Sequence, residues 1–269
     1  TGQVWGSRRG LMQWILKVAD RITSLAATHI LTDSFTQRAF LIREQVISKE
    51  KSSVLANGSI SGVDLERFKP DDRLCLKVRE QFGIPTNELV FLFMARLTRD
   101  KGALVMAEAF SHFVQQGGEG HLIVVGPDEE QLSQSMRELF GESLTKGHFE
   151  DYTRYPEKFM AAADIFCLPS YREGFGTALI NAAAMGIPAI ASRIYGSEEA
   201  IQENVTGFLI EAGNSQELAE KMQVLAIDSE LRVRLGRSAK ERARDSFSES
   251  TVTAAVLEFY SNVMSTAHS

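Results

Sequence analysis

The chain has 269 residues, 44% of them hydrophobic and 24% charged, with a formal net charge of −6. That is the composition of an ordinary globular protein, and its acidic balance argues against nucleic acid as a partner, because a phosphate backbone is met by a basic face. No segment reaches the roughly 18 consecutive apolar residues of a membrane-spanning helix. Cys75 and Cys167 lie far apart without metal-ligand spacing and read as free thiols in a reducing compartment.

In chain order, Leu11 to Ala27 reads as an amphipathic helix with Arg8, Arg9, Lys17 and Arg21 at or near its polar side. Such a helix fits either an anionic membrane surface or packing on its own domain. His29–Thr32 is a short strand, Ser34 an N-cap for a helix through Arg43, and Ser53–Ala56 a second strand. Two strands and two helices cannot cover both faces of a sheet. Residues 1–60 are therefore read as the C-terminal part of a Rossmann-like domain that lacks its beginning. The turn-rich stretch Asn57–Gly62 is the expected hinge.

From Glu88 onward the pattern alternates. Val90–Ala95, His121–Val125, Gly147–Phe149, Ile165–Pro169, Pro188–Ala191 and Gly207–Ile210 are short apolar runs. Apolar runs without polar alternation suit strands covered on both faces. Helical patterns such as Gly102–Gln116 and Glu129–Leu139 separate them, which implies crossover units and a parallel sheet. The expected architecture is α/β: a doubly wound parallel-sheet domain over residues 61–248, with a last helix over 249–269 that returns toward the first domain.

In an open parallel sheet, ligands bind beyond the carboxyl ends of the strands. Three loops there carry unusual residues. Arg96-Leu97-Thr98-Arg99-Asp100-Lys101-Gly102 puts cations beside a helix start, where free N–H groups favour phosphate. A solvated loop with its cations paired to neighbouring acids would read the same. Pro169-Ser170-Tyr171-Arg172-Glu173-Gly174-Phe175-Gly176-Thr177 enters a helix through Met185. Its glycines let backbone approach a ligand, and the N–H groups of Phe175, Gly176 and Thr177 can face an anion. Glu173 can accept bonds from sugar hydroxyls, and position 181 lies about one turn into the helix. The third loop follows Phe149, which either grips a flat base or belongs to the core. Together these features suit a sugar diphosphate whose leaving group gains charge as the glycosidic bond breaks. No Asp-x-Asp pair or metal-spaced histidines appear, so basic side chains would serve in place of a divalent ion.

Arg96…Lys101-Gly102, Pro169-Ser170…Glu173-Gly174-Phe175-Gly176, Gly186–Ala191 and Gly62-Val63-Asp64-Leu65-Glu66-Arg67-Phe68 together resemble retaining glycosyltransferase family 4, of GT-B fold. Thr1-Gly2-Gln3-Val4-Trp5 resembles a late stretch of that family's N-terminal domain. The likeness is to enzymes of bacterial surface polysaccharide and lipid-linked oligosaccharide synthesis. It implies that residues 61–248 bind the donor and 1–60 belong to the acceptor side. Arg96 and Lys101 would hold the diphosphate and Glu173 the transferred sugar, while Gly174, Phe175, Gly176 and Thr177 line its phosphate and ring. It implies a nucleoside-diphosphate sugar as substrate, no cofactor or metal, a saccharide or lipid-linked acceptor, and a cytoplasmic place at the inner face of a membrane. One departure stands out: the family motif is Glu, seven residues, Glu, and here the second position is Asn181. Asn accepts a ribose hydroxyl bond without charge, which weakens donor binding rather than abolishing it. Asn181 also leaves open a nucleotide-sugar binding module without transfer activity. A sugar-nucleotide epimerase of the same fold fits the Glu173–Gly176 loop less well.

Overall fold

A computed structural model of the chain describes residues 10–59 and 61–267. The larger lobe is built on six parallel strands: β3 (Val90–Met94), β4 (His121–Val125), β5 (Gly147–Glu150), β6 (Ile165–Leu168), β7 (Ala189–Ser192) and β8 (Gly207–Ile210). Their spatial order is β5-β4-β3-β6-β7-β8. The chain winds outward from β3 to β5, returns to the other side of β3, and winds outward again. β3 and β6 therefore flank the point where the order reverses.

The uninterrupted apolar runs follow from this layering. Val90, Leu92, Ile123, Val125, Phe166 and Leu168 face one layer. Phe91, Phe93, Leu122, Val124, Ile165 and Cys167 face the other. The first layer is covered by α3 (Asp72–Phe82), α6 (Pro156–Ala161), α7 (Thr177–Ala184) and α10 (Ser229–Phe247) through Val78, Phe159, Ile180 and Phe247. The second is covered by α4 (Ala103–Gln115), α5 (Ser133–Phe140) and α9 (Ser215–Ile227) through Phe110, Phe113, Met136 and Met222. Each such fully buried side chain contributes about 1.5–3 kcal/mol relative to exposure. Below the sheet, buried Arg79 donates to the carbonyls of Pro85, Glu88 and Ala162 and to Asp164, whose Oδ2 also accepts from Val90 N. This network ties α3 and α6 to the first residue of β3.

One expected boundary moves. The helix expected from Glu129 starts at Ser133, because Asp128 accepts from the N–H groups of Leu132 and Ser133 while Gln131 takes φ +56°. A left-handed residue there cannot lie inside a helix.

The smaller lobe has α1 (Leu11–Ala26), β1 (Ile30–Thr32), α2 (Phe35–Arg43) and β2 (Ser52–Val54), with β1 and β2 paired in parallel. Ser34 caps α2 as expected, its Oγ accepting from Gln37 N at 3.1 Å. None of the α1 side chains is buried, and Leu11, Trp14 and Leu25 stay exposed. Arg8, Arg9, Ile60 of the hinge and the stretch Thr1–Trp5 lie outside the described residues. α8 (Ser197–Ala200) leads from β7 toward the smaller lobe, and α11 (Glu249–Ala267) closes the described chain. α11 sets Phe259 against His29, ring centroids 4.9 Å apart.

Candidate functional site

The β3–α4 and β6–α7 loops leave adjacent strands at the reversal point, the position where open α/β sheets hold ligands. They are in direct contact. Gly102 has φ +72°, and a Cβ there would lie 2.0 Å from the carbonyl oxygen of Pro169. Tyr171 N donates to Asp100 O at 2.8 Å, and the Arg172 guanidinium donates to Asp100 Oδ2 at 2.6 Å.

Across this seam Lys101 Nζ meets Glu173 Oε1 at 2.7 Å, with side-chain exposures of 20% and 11%. Buried Ser170 donates its hydroxyl to the same Oε1 at 2.8 Å. Among the described residues, both hydrogen bonds to Glu173 fall on Oε1 and none on Oε2. Gly176 then takes φ +74° and opens α7 without a side-chain cap. The first N–H groups of α7 thus lack a side-chain acceptor, and the helix end carries a partial positive charge. Thr177 is exposed at this entrance.

The remaining expected site residues are placed less directly. Arg96 is exposed at the end of β3 and pairs with Glu129 at 2.8 Å. This is the solvated pairing that its loop also allowed. The Phe175 side chain is buried and packs edge-on against Phe247, ring centroids 5.2 Å apart, which leaves its backbone N–H as the part that can line a ligand. Phe149 is half-buried, 5.6 Å from Phe140, with the Arg137 guanidinium 4.0 Å over its ring. Asn181 is half-buried on α7 with no side-chain hydrogen bond among the described residues.

Several participants were absent from the sequence reading. Asp33 follows β1, and its Oδ2 would lie 2.7 Å from a Cβ on Gly174. Burial raises its carboxyl above the usual range. The rule that ligands sit beyond strand carboxyl ends applies to β1 as well and points to this residue. Glu199 of α8 reaches the smaller lobe, accepting from Phe35 N at 2.8 Å and Thr36 N at 2.5 Å. It therefore satisfies two of the four orphan donors that open α2. Phe40 stacks on Tyr195 at 5.4 Å beside it. No local sequence signal marks these contacts, because each joins residues more than 140 positions apart.

The model of the family of glycosyl transferases group 1 matches residues 76–242, more than half of the chain. The chain belongs to that family. It is 27% identical over 91% of its length to the capsular polysaccharide biosynthesis glycosyltransferase CapM of Staphylococcus aureus, covering 64% of that protein. It is 32% identical over 76% of its length to the D-inositol 3-phosphate glycosyltransferase of Saccharomonospora viridis, covering 49% of it. The chain thus spans between about half and two thirds of these relatives. Among solved structures, Anabaena Alr3699/HepE in complex with UDP and glucose superposes with a TM-score of 0.83 at 24% identity, covering 94% of this chain and 68% of that one. Sucrose-phosphate synthase from Thermosynechococcus elongatus gives 0.81 at 22%, covering 97% of this chain and 63% of that one. The fold of this glycosyltransferase family member is accordingly of the GT-B type.

Proposed function

We propose that the chain binds a nucleoside-diphosphate sugar outside β3 and β6 and passes the sugar to a hydroxyl acceptor with retention at the anomeric carbon. The observation that carries this reading is the Lys101–Glu173 pair beside the uncapped start of α7. In one place it offers a cation and helix amides for a diphosphate, and a pre-oriented carboxylate for sugar hydroxyls. Lys101 keeps its bond to Glu173 and turns its other protons to phosphate. Arg96 exchanges Glu129 for phosphate at little cost, since both partners of that pair are about half exposed and such pairs contribute roughly 0–1 kcal/mol. As the bond to the anomeric carbon breaks, charge grows on the diphosphate where these donors already point. Basic side chains fill the role of a divalent ion, and no cofactor enters the scheme.

The name of the Staphylococcus aureus relative favours polysaccharide synthesis, and our reading extends it to surface polysaccharide or lipid-linked oligosaccharide with a saccharide or lipid-linked acceptor. Among the described residues no helix is long and apolar enough to cross a membrane. Our reading is a cytoplasmic enzyme that meets its acceptor at the inner membrane face, where the exposed apolar side chains of α1 give a peripheral contact.

The test is a thermal-shift panel of UDP, GDP, ADP and their sugar conjugates. A ligand that binds the native state raises Tm with concentration. A concentration-dependent rise with at least one nucleoside diphosphate and its sugar is expected. Indifference to every one of them would refute the reading.

A further inference from the structure

At the carboxyl end of α7, away from the donor loops, α10 and the segment after the hinge border a pocket of about 390 Å³, within the size range of small-molecule sites. Thr177 opens α7 beside the donor loops and Ala184 ends it on the pocket wall, about 10 Å away at 1.5 Å per residue. The floor is apolar: Leu65, Phe68 and Ala184, with Phe68 6% and Ala184 2% exposed. The wall is fixed, because Gly236 brings α10 against the turn after α7; a Cβ there would lie 2.1 Å from the Gly186 carbonyl oxygen. The rim is basic. Arg237, Lys240 and Arg244 are spaced three and four residues apart on one face of α10, and Lys69 joins them from the segment after the hinge. Cations so spaced repel each other. Among the described lining residues beyond the floor, Glu241 is the acid. Glu66 pairs with Lys69 and Asp245 with Arg244, and all four of these side chains are more than half exposed. Arg237 and Lys240 have no hydrogen bond or ion pair among the described residues. Glu241 and the carboxyl end of α7, with about half a negative charge, offset part of these two charges.

We propose that this pocket binds a small phosphorylated molecule, its phosphate between Arg237 and Lys240 and its apolar portion on Leu65 and Phe68. A guanidinium and an ammonium on adjacent turns offer charge-assisted donors to a tetrahedral dianion. Lys69 and Arg244 exchange their exposed carboxylates for the same anion at little cost. The recessed floor decides against a membrane surface as the occupant. A bilayer takes up side chains that protrude, whereas Phe68 and Ala184 are already covered and are reached by a ligand that enters. The site is separate from the donor site, since Lys101, Glu173 and Thr177 do not line it, and it stands independently of the donor reading.

The experiment titrates phenyl phosphate, inorganic phosphate and phenol into the protein by calorimetry, with and without saturating UDP. The parent is expected to bind phenyl phosphate in the presence of UDP, and about tenfold or more tightly than either fragment, because the ring is buried together with the charge. Arg237→Gln and Lys240→Gln should each weaken this binding about tenfold and the double variant about 100-fold. Arg234→Gln removes an exposed cation of the same helix outside the pocket and should leave binding within about twofold of the parent. All these variants replace exposed side chains and should keep the parent's Tm without ligand, which separates lost binding from lost fold. Phosphatidylglycerol vesicles should not compete with phenyl phosphate. Displacement by UDP would assign the ligand to the donor site and overturn the proposal. So would equal binding by the double variant, inorganic phosphate bound as tightly as phenyl phosphate, or no binding by the parent at millimolar concentration. Vesicle binding that depends on Arg237 and Lys240, with none of phenyl phosphate, would make this face a membrane contact and overturn it as well.

Discussion

Replacing Lys101 by Met removes the cation that joins the two loops and keeps most of the apolar stem. Glu173 is then left 11% exposed with Ser170 as its remaining donor. An unsatisfied buried polar group costs about 1–3 kcal/mol, and breaking a fully buried ion pair about 3–5 kcal/mol. Lys101 is one-fifth exposed, so water screens part of the loss and a cost of about 2 kcal/mol is expected. For a chain of this size that corresponds to a fall in Tm of roughly 4–8 °C. The double variant Lys101→Met/Glu173→Gln should regain at least half of the stability, because the stranded charge is gone. Nucleotide binding should suffer independently. A hydrogen bond to a charged group contributes about 1.5–3 kcal/mol, so the affinity for UDP should fall roughly 10- to 100-fold. Urea denaturation of the two single variants and the double variant gives the coupling, and calorimetry gives the UDP affinity. A Lys101→Met protein as stable as its parent, with unchanged UDP affinity, would refute this reasoning.

Other consequences follow from the same structure. Asn181→Glu should tighten UDP binding about tenfold by restoring a charge-assisted acceptor, and equal or weaker affinity by calorimetry would remove Asn181 from the nucleotide site. Gly102→Ala puts a methyl 2.0 Å from Pro169 O at φ +72°; about 1–3 kcal/mol of stability should be lost in urea, and a neutral result would show that the loops are not in contact. Burial and the neighbouring His121 hold the His148 imidazole down to about 4. The unfolded chain therefore binds this proton first, and stability should fall as pH drops from about 6.5 through 4. His148→Asn should flatten that part of the profile, and an unchanged pH dependence would count against the shift. Burial pushes the fully enclosed Cys167 thiol up, so a thiol reagent should label Cys75 in the native protein and reach Cys167 after unfolding; rapid native labelling of Cys167 would contradict its place in the core.

The periodicity of the larger lobe was legible because its physics is local. Val90–Met94 and Leu122–Val125 are covered by helices on both sides of the sheet and are apolar at every position. The α10 and α9 helices went unread, and the start of α5 was misplaced because it turns on a side-chain cap by Asp128. In the site, Glu173, Lys101 and the glycine-rich entry to α7 could be found because strand ends announce where ligands lie. The orientation of Phe175 could not, since a Gly-Phe-Gly loop does not say which way its ring points. Glu199 was out of reach for another reason, and so was the neighbour that Asp33 meets, although the end of β1 pointed to Asp33 itself. Their partners belong to the opposite lobe, and a contact such as Glu199 with Phe35 N depends on how the lobes close.

A crystal structure of the protein with UDP-glucose would test the proposed donor site most directly. The diphosphate should lie within hydrogen-bonding distance of Lys101 Nζ and the first amides of α7, with a sugar hydroxyl on Glu173 Oε2. A nucleotide bound elsewhere on the sheet, touching neither Lys101 nor Glu173, would contradict the account.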